Sequence, residues 1–188
     1  MSERSIRAFL ALEIPDAIRA QLASMQENVR TELPRARWTR PQGWHLTLKF
    51  LGEVERPVLA DLGAELASRA RGIGTVTVKL EKTGFFPSST RPRVAWVGGT
   101  AGGAEKVVEA VEDAAEFAGF PREKRLWSVH LTQARLKTQW SKASVDQFLE
   151  WGDRLNLEAF TCREVVLFSS DLQPGGAVYT ALERFSLE

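Results

Sequence analysis

Both histidines of this chain, His45 and His130, stand in the same triplet, His-Leu-Thr, each inside an apolar run: Trp44-His45-Leu46-Thr47-Leu48 and Val129-His130-Leu131-Thr132-Gln133. At ordinary residue frequencies that coincidence arises by chance on the order of once in ten thousand sequences or less often. Side chains alternate along a β-strand, so His45 and Thr47 face one way while Leu46 and Leu48 face the other, and His130 and Thr132 repeat the arrangement. The chain must therefore fold so that two strands each bury their leucines and offer an imidazole and a hydroxyl to a cleft.

The 188 residues fit one domain or two small lobes, and 44% hydrophobic with 26% charged residues is ordinary for a soluble globular protein. A formal net charge of +1 excludes the protein-wide positive field of a nucleic-acid coating protein, so an anionic substrate has to be captured locally. One cysteine, Cys162, rules out an internal disulfide, and with two histidines it is a poor basis for a zinc site. It reads as a small buried hydrophobe, and a reducing cytoplasm is the expected setting. The first apolar stretch is short and broken by Arg7 and Glu13, and no later run approaches the ~18 apolar residues of a membrane span.

Residues Ile6 to Ile14 alternate as a half-buried strand, with Ile6, Ala8, Leu10, Leu12 and Ile14 on one face. Pro15 suits a first helical turn, and Ile18, Leu22, Met25 and Val29 follow at helical spacing. A basic connector, Arg35 to Arg40 with Trp38 inside it, leads to the first histidine strand, which runs to Leu51. Pro57 then opens a helix carrying Val58, Leu59, Leu62 and Leu66. Thr75 to Leu80 and Val94 to Val97 read as a hairpin around the turn-rich Phe85-Phe86-Pro87-Ser88-Ser89. Gly98 to Gly103 is the expected flexible seam; a Gly-rich turn before a helix can also cradle a phosphate, but its spacing matches neither the dinucleotide fingerprint nor the P-loop pattern. A helix over 104–118, the second histidine strand, a basic turn at Arg135 and Lys137, a short helix with Val145, Phe148 and Leu149, and strands over 160–168 and 177–185 complete the chain.

An offset of 85 superposes His45 on His130, Arg7-Phe9 on Pro92-Val94, and Val76-Val78 on Thr161-Arg163. Each half then reads strand, helix, histidine strand, helix, strand. The expected architecture is α+β, one bilobal domain over 1–188 with approximate halves 1–90 and 91–188. Each lobe is expected to be an antiparallel sheet with helices on its outer face. A pseudo-two-fold axis would relate the lobes, with the cleft between them.

Two facing imidazoles suit paired acid and base catalysis. The hydroxyls of Thr47 and Thr132 can donate hydrogen bonds to the non-bridging oxygens of an anion. Together they describe a site for a phosphodiester, flanked by an incoming and a departing oxygen, with no metal and no cofactor needed.

These residues resemble the two-histidine (2H) phosphoesterase superfamily and, within it, the RNA 2′,3′-cyclic phosphodiesterases also known as 2′,5′ RNA ligases. The resemblance extends over Arg7 to Pro15, Arg37-Trp38, His45 to Val54, Gly84 to Pro87, Arg93 to Gly98, His130 to Arg135, Leu167 to Ser170, and Tyr179. It implies a bilobal α+β fold and opening of RNA 2′,3′-cyclic phosphate ends to 2′-phosphates. In some relatives it also implies reversible 2′,5′ joining of tRNA halves. It further implies His130 as base and His45 as acid, with Thr47, Thr132 and Arg135 on the phosphate; sequence symmetry by itself assigns neither histidine role. Gln133 departs from the usual apolar residue, and simple alternation points Arg135 away from His130 unless a bulge turns it.

Three further residues are candidates for substrate contact. Phe9 lies on the polar face of the first strand, where an aromatic can stack on a splayed base. Lys49 shares by alternation a face with His45 and Thr47. Trp38 lies in the basic connector. The expected partners are RNA or nucleotides with 2′,3′-cyclic phosphate ends, with no membrane association and a monomeric state. Two other readings keep the same residues: a phosphodiesterase for small cyclic nucleotides or ADP-ribose cyclic phosphate, and a non-catalytic RNA-end binding module.

Overall fold

A computed structural model describes residues 5–174 and 176–188. The first two elements are β1 (Ser5–Glu13) and α1 (Asp16–Glu32), and a short strand β2 (Arg37–Trp38) follows. A single 3-10 turn, Pro41–Gly43, leads into β3 (His45–Glu55). Next come α2 (Arg56–Ala70), β4 (Val76–Phe86), β5 (Val94–Gly102), α3 (Ala104–Phe117) and β6 (His130–Arg135). The chain ends with α4 (Lys142–Asp153), β7 (Phe160–Cys162), β8 (Glu164–Gln173) and β9 (Gly176–Ser186). The fold is mixed α+β: two antiparallel sheets, ordered β3-β1-β8-β9 and β2-β6-β5-β4-β7, with four α-helices among the described residues.

The periodicities explain the elements. Ile18, Leu22, Gln26 and Val29 form the buried stripe of α1, and Val107, Val111, Ala114 and Ala115 that of α3. Leu10, Leu12, Leu46, Leu80, Val97 and Leu131 are all under 2% exposed, so the inner faces of both sheets enter one main core. A second, small apolar cluster of Phe9, Ala11, Val166 and Phe168, with Tyr179 against it, lies on the other face of the first sheet.

The 85-residue offset reappears in the backbone. In the β1·β3 ladder Glu13 faces His45, Leu12 faces Leu46, Ala11 faces Thr47, Leu10 faces Lys49 and Phe9 faces Phe50. In the β5·β6 ladder Gly98 faces His130, Val97 faces Leu131, Trp96 faces Thr132, Ala95 faces Ala134 and Val94 faces Arg135. Every pair in the second set is a pair of the first set shifted by 85. Both ladders slip at the corresponding place, leaving Leu48 and Gln133 as the extra residues of matching bulges.

Two expectations need correction. The halves 1–90 and 91–188 do not each own a sheet: β4, from the first, pairs with β5, while β8 and β9, from the second, pair onto β1. The 87–93 turn folds β4 back directly onto β5, so the third strand of the first half is delivered to the sheet of the second. Nor is Gly98 to Gly103 a seam, because Gly98 to Gly102 lie inside β5. A Cβ on Gly99 would stand 1.8 Å from the Lys79 carbonyl oxygen, and one on Gly98 2.3 Å from that of Val129. These glycines permit close backbone approach.

Candidate active site

The histidine strands come from different sheets, β3 from the first and β6 from the second. Hydrogen bonds between the two sides hold them together at the level of the threonines. The Trp127 indole N–H donates to the Thr47 carbonyl at 2.7 Å, and the Thr39 hydroxyl donates to the Thr132 carbonyl at 2.7 Å. Thr39 in turn accepts from the Trp44 indole at 2.8 Å, tying the start of β3 to β6. The imidazoles lie close enough for positive charge on His130 to depress protonation of His45.

Each ring is oriented in the same way. His45 Nδ1 lies 2.8 Å from the Gly43 carbonyl oxygen, and His130 Nδ1 lies 3.0 Å from that of Ser128, two residues upstream in both cases. A carbonyl only accepts, so both Nδ1 atoms carry the proton and both Nε2 atoms are left for chemistry. The Phe9 ring backs His45 with centroids 4.5 Å apart, and Tyr179 meets it edge-on at 4.9 Å. Phe86 meets His130 edge-on at 5.1 Å.

His45 is held neutral, its pKa lowered to about 4 mainly by burial; the nearby charges of Arg19 and His130 add to the effect, and the Gly43 hydrogen bond opposes it. Sequence reasoning missed Arg19. From the first turn of α1 its guanidinium donates to the carbonyls of Ile14 at 2.9 Å, Pro41 at 2.7 Å and Trp44 at 3.1 Å. It thereby pins the turn that carries His45. Its only sequence signal is a cation beside the apolar stripe of a helix, which surface helices show routinely. Trp127 was missed because nothing local marks it as a donor to the other sheet.

The bulges decide which candidates reach the cleft. Thr47 and Thr132 share faces with their histidines and are half-buried. Beyond the slip at Gln133, Ala134 is buried and Arg135 exposed, so Arg135 returns to the face of His130. The same slip at Leu48 sends Lys49 inward, which corrects its expected place beside His45. Lys49 is 2% exposed, and its ammonium donates to Glu112 at 2.7 Å and to the Pro121 carbonyl at 2.8 Å. Phe50 takes the outward position and is 65% exposed.

Phe9 faces the cleft side yet is only 2% exposed, stacked on Phe168 at 5.3 Å beneath His45 and Tyr179. It supports the imidazole and has no free face for a base, which corrects the stacking expectation. Trp38 pairs across the strands with buried Ala134 and packs against Trp140 at 6.4 Å, so it lies on the core side. Its neighbour Arg37 pairs with Arg135 and shares the cleft face, a residue that sequence reasoning placed only in a basic connector.

Gln133 is fully buried, and its amide oxygen accepts from Gln26 of α1 at 3.1 Å. Cys162 is buried, its thiol pushed up to about 12 mainly by desolvation, and is inert at neutral pH. Among the described residues no three His, Cys, Asp or Glu side chains converge to hold a metal ion, and no helix is long and apolar enough to cross a membrane. What the two strands present on their histidine faces is two imidazoles whose Nδ1 atoms are taken by backbone carbonyls, two half-buried threonines and, on β6, the exposed Arg135.

The family model described as LigT like Phosphoesterase matches residues 12–96. A Thermus thermophilus protein named RNA 2′,3′-cyclic phosphodiesterase is 33% identical over 97% of this chain and 90% of its own length. One of the same name from Aeropyrum pernix is 31% identical over 86% of this chain and 92% of its own length. Among solved structures, TT0787 of Thermus thermophilus superposes with a TM-score of 0.79 at 30% identity, covering 97% of this chain and 98% of that one. The LigT of E. coli complexed with 3′-AMP superposes with a TM-score of 0.74 at 25% identity, again covering 97% and 98%. With relatives this similar along nearly their whole length and with matching architecture, the chain belongs to the LigT-like phosphoesterases of the 2H superfamily.

Proposed function

We propose that this phosphoesterase opens the 2′,3′-cyclic phosphate at RNA ends by adding water across the P–O3′ bond, leaving a 2′-phosphate. The observation that carries the reading is the pair of imidazoles on facing strands, each with Nδ1–H committed to a backbone carbonyl and Nε2 left free. Names of relatives support the substrate, and the 3′-AMP complex of E. coli LigT supports a nucleotide in the cleft. His130 Nε2 takes a proton from water as its oxygen bonds to phosphorus. His45 Nε2–H gives one to O3′ as that bond breaks. Thr47 and Thr132 donate to the non-bridging oxygens, and Arg135 offsets their charge. Correctly placed acid and base groups contribute roughly 10² to 10⁴ each in rate.

His45 is neutral in the free protein, so its acid role requires the bound phosphodiester anion to raise its proton affinity. The substrate thus loads the proton that its own leaving group receives. The same groups can run the reverse condensation when a 5′-hydroxyl replaces water, so 2′,5′ joining belongs to this proposal as a secondary activity. The test is incubation of 2′,3′-cyclic-phosphate RNA with the protein in excess chelator, followed by phosphorus NMR of the end. A 2′-phosphate formed with chelator present supports the proposal. A 3′-phosphate, or no product while the RNA still binds, defeats it.

A further inference from the structure

The charge of this protein is near balance overall and far from balance locally. Segments 33–44, 84–104 and 124–141 contain nine Lys and Arg residues and no Asp or Glu, in a chain with 25 of the former and 24 of the latter. The topology gathers these segments: they supply β2, β5 and β6, three adjacent strands of the second sheet. At the end of those strands Arg37 faces Arg135, which faces Val94 in turn. Arg93 is held there through its carbonyl by the Leu136 amide at 2.9 Å, and Lys137 follows. All four cations are exposed, and none makes an ion pair among the described residues, although Arg69, Arg122, Arg163 and Arg184 elsewhere all do.

Like charges directly opposite each other on neighbouring strands destabilise a sheet. Arg37 and Arg135 hold that arrangement on the face that carries His130 and Thr132, with no carboxylate in their own segments to relieve it. Arg37 also reaches across to the first sheet, one guanidinium nitrogen lying 3.9 Å from where a Cβ on Gly176 would stand, at the β8–β9 turn. On its outer side a surface hollow is lined by Arg30, Arg35 and Arg37 and includes neither histidine. A row of phosphates turns this repulsion into charge-assisted hydrogen bonding.

We propose that the carboxylate-free end of the second sheet, centred on Arg37 with Arg35, Arg93 and Lys137, holds the internucleotide phosphates of an RNA strand whose 3′ end lies in the histidine cleft. The substrate is then an RNA strand several nucleotides long, bound with little base preference because phosphate contacts carry no sequence information. This inference rests on the phosphodiesterase reading for the direction of the strand, but its test does not depend on turnover.

Anisotropy of a fluorescent eight-nucleotide RNA with an ordinary 3′-hydroxyl end reads binding without chemistry. For Arg37→Ala/Arg93→Ala the dissociation constant should rise at least tenfold at low salt, and the slope of log affinity against log salt should flatten by roughly 0.7 per lost phosphate contact. Arg37→Lys/Arg93→Lys, which keeps both charges, should keep most of the slope and serves as the check on folding. Arg71→Ala, an exposed cation at the end of α2, is the control and should leave affinity within twofold. An unchanged slope and affinity in the double alanine variant, or an equal loss in the Arg71 variant, overturns the proposal. If the native protein binds this RNA but hydrolyses no cyclic end, the phosphodiesterase reading fails and the phosphate track stands.

Discussion

A carbonyl placed two residues before each histidine is the smallest feature on which the chemistry turns. Gly43 and Ser128 each accept Nδ1–H, which leaves both Nε2 atoms without a backbone partner. Burial then separates His45 from an ordinary histidine by lowering its pKa to about 4. A bound phosphodiester, anionic at every relevant pH, opposes that shift. Binding of a 2′,3′-cyclic nucleotide to the His130→Ala variant should therefore take up a proton. Affinity should rise by up to tenfold per pH unit as pH falls from 7, and level off near pH 4 where free His45 is itself protonated. Calorimetry in buffers of different ionisation enthalpy measures the uptake, and affinity flat between pH 5 and 7 would contradict the loaded-acid role. That each histidine shares a strand face with its threonine, with the leucine buried between them, was legible from the repeated triplet alone. The places of Phe9 and Lys49 were not, because whether an outward residue is covered depends on what packs over it from other strands.

Elements were legible where periodicity is strong, as in α1, α3 and β1, and illegible where one residue breaks it. The bulges at Leu48 and Gln133 invert alternation for the residues that directly follow them, sending Lys49 inward and Arg135 outward. No local residue marks them; they became visible only as a matched pair in register. Lys49 thereby forms an ion pair between β3 and α3, with Glu112 accepting at 2.7 Å and both side chains under 10% exposed. Removing one partner leaves a buried charge, so Glu112→Gln or Lys49→Met should each lower unfolding free energy by about 3–5 kcal/mol. The double variant Lys49→Met/Glu112→Leu should lose much less. Urea denaturation with a double-mutant cycle measures this, and additive losses would mean that the two groups do not act as a pair.

For the whole molecule, the decisive feature is the exchange of strands between halves. Halves were legible as a repeat, while the exchange was not, because hydrophobic pattern marks a strand without naming its neighbour. Since β4 completes the sheet of β5 and β6, and β8 completes that of β1 and β3, neither half can bury its own sheet. Fragments 1–90 and 91–188 are expected to lack cooperative unfolding alone and to recover it when mixed, as followed by circular dichroism. Independent folding of either fragment would contradict this. The exchange also explains why two histidine strands 85 residues apart in sequence belong to one folded unit: the sheets that carry them cannot form separately.

The most direct measurement is steady-state turnover of a 2′,3′-cyclic-phosphate RNA by the native protein, His45→Ala, His130→Ala and the double variant, each checked for native circular dichroism. If the two imidazoles serve one phosphorus as a unit, each single variant should lose at least a hundredfold in kcat, and the double variant little more than the worse single one. Turnover within tenfold of native in either single variant, or losses that simply multiply, would contradict the paired site.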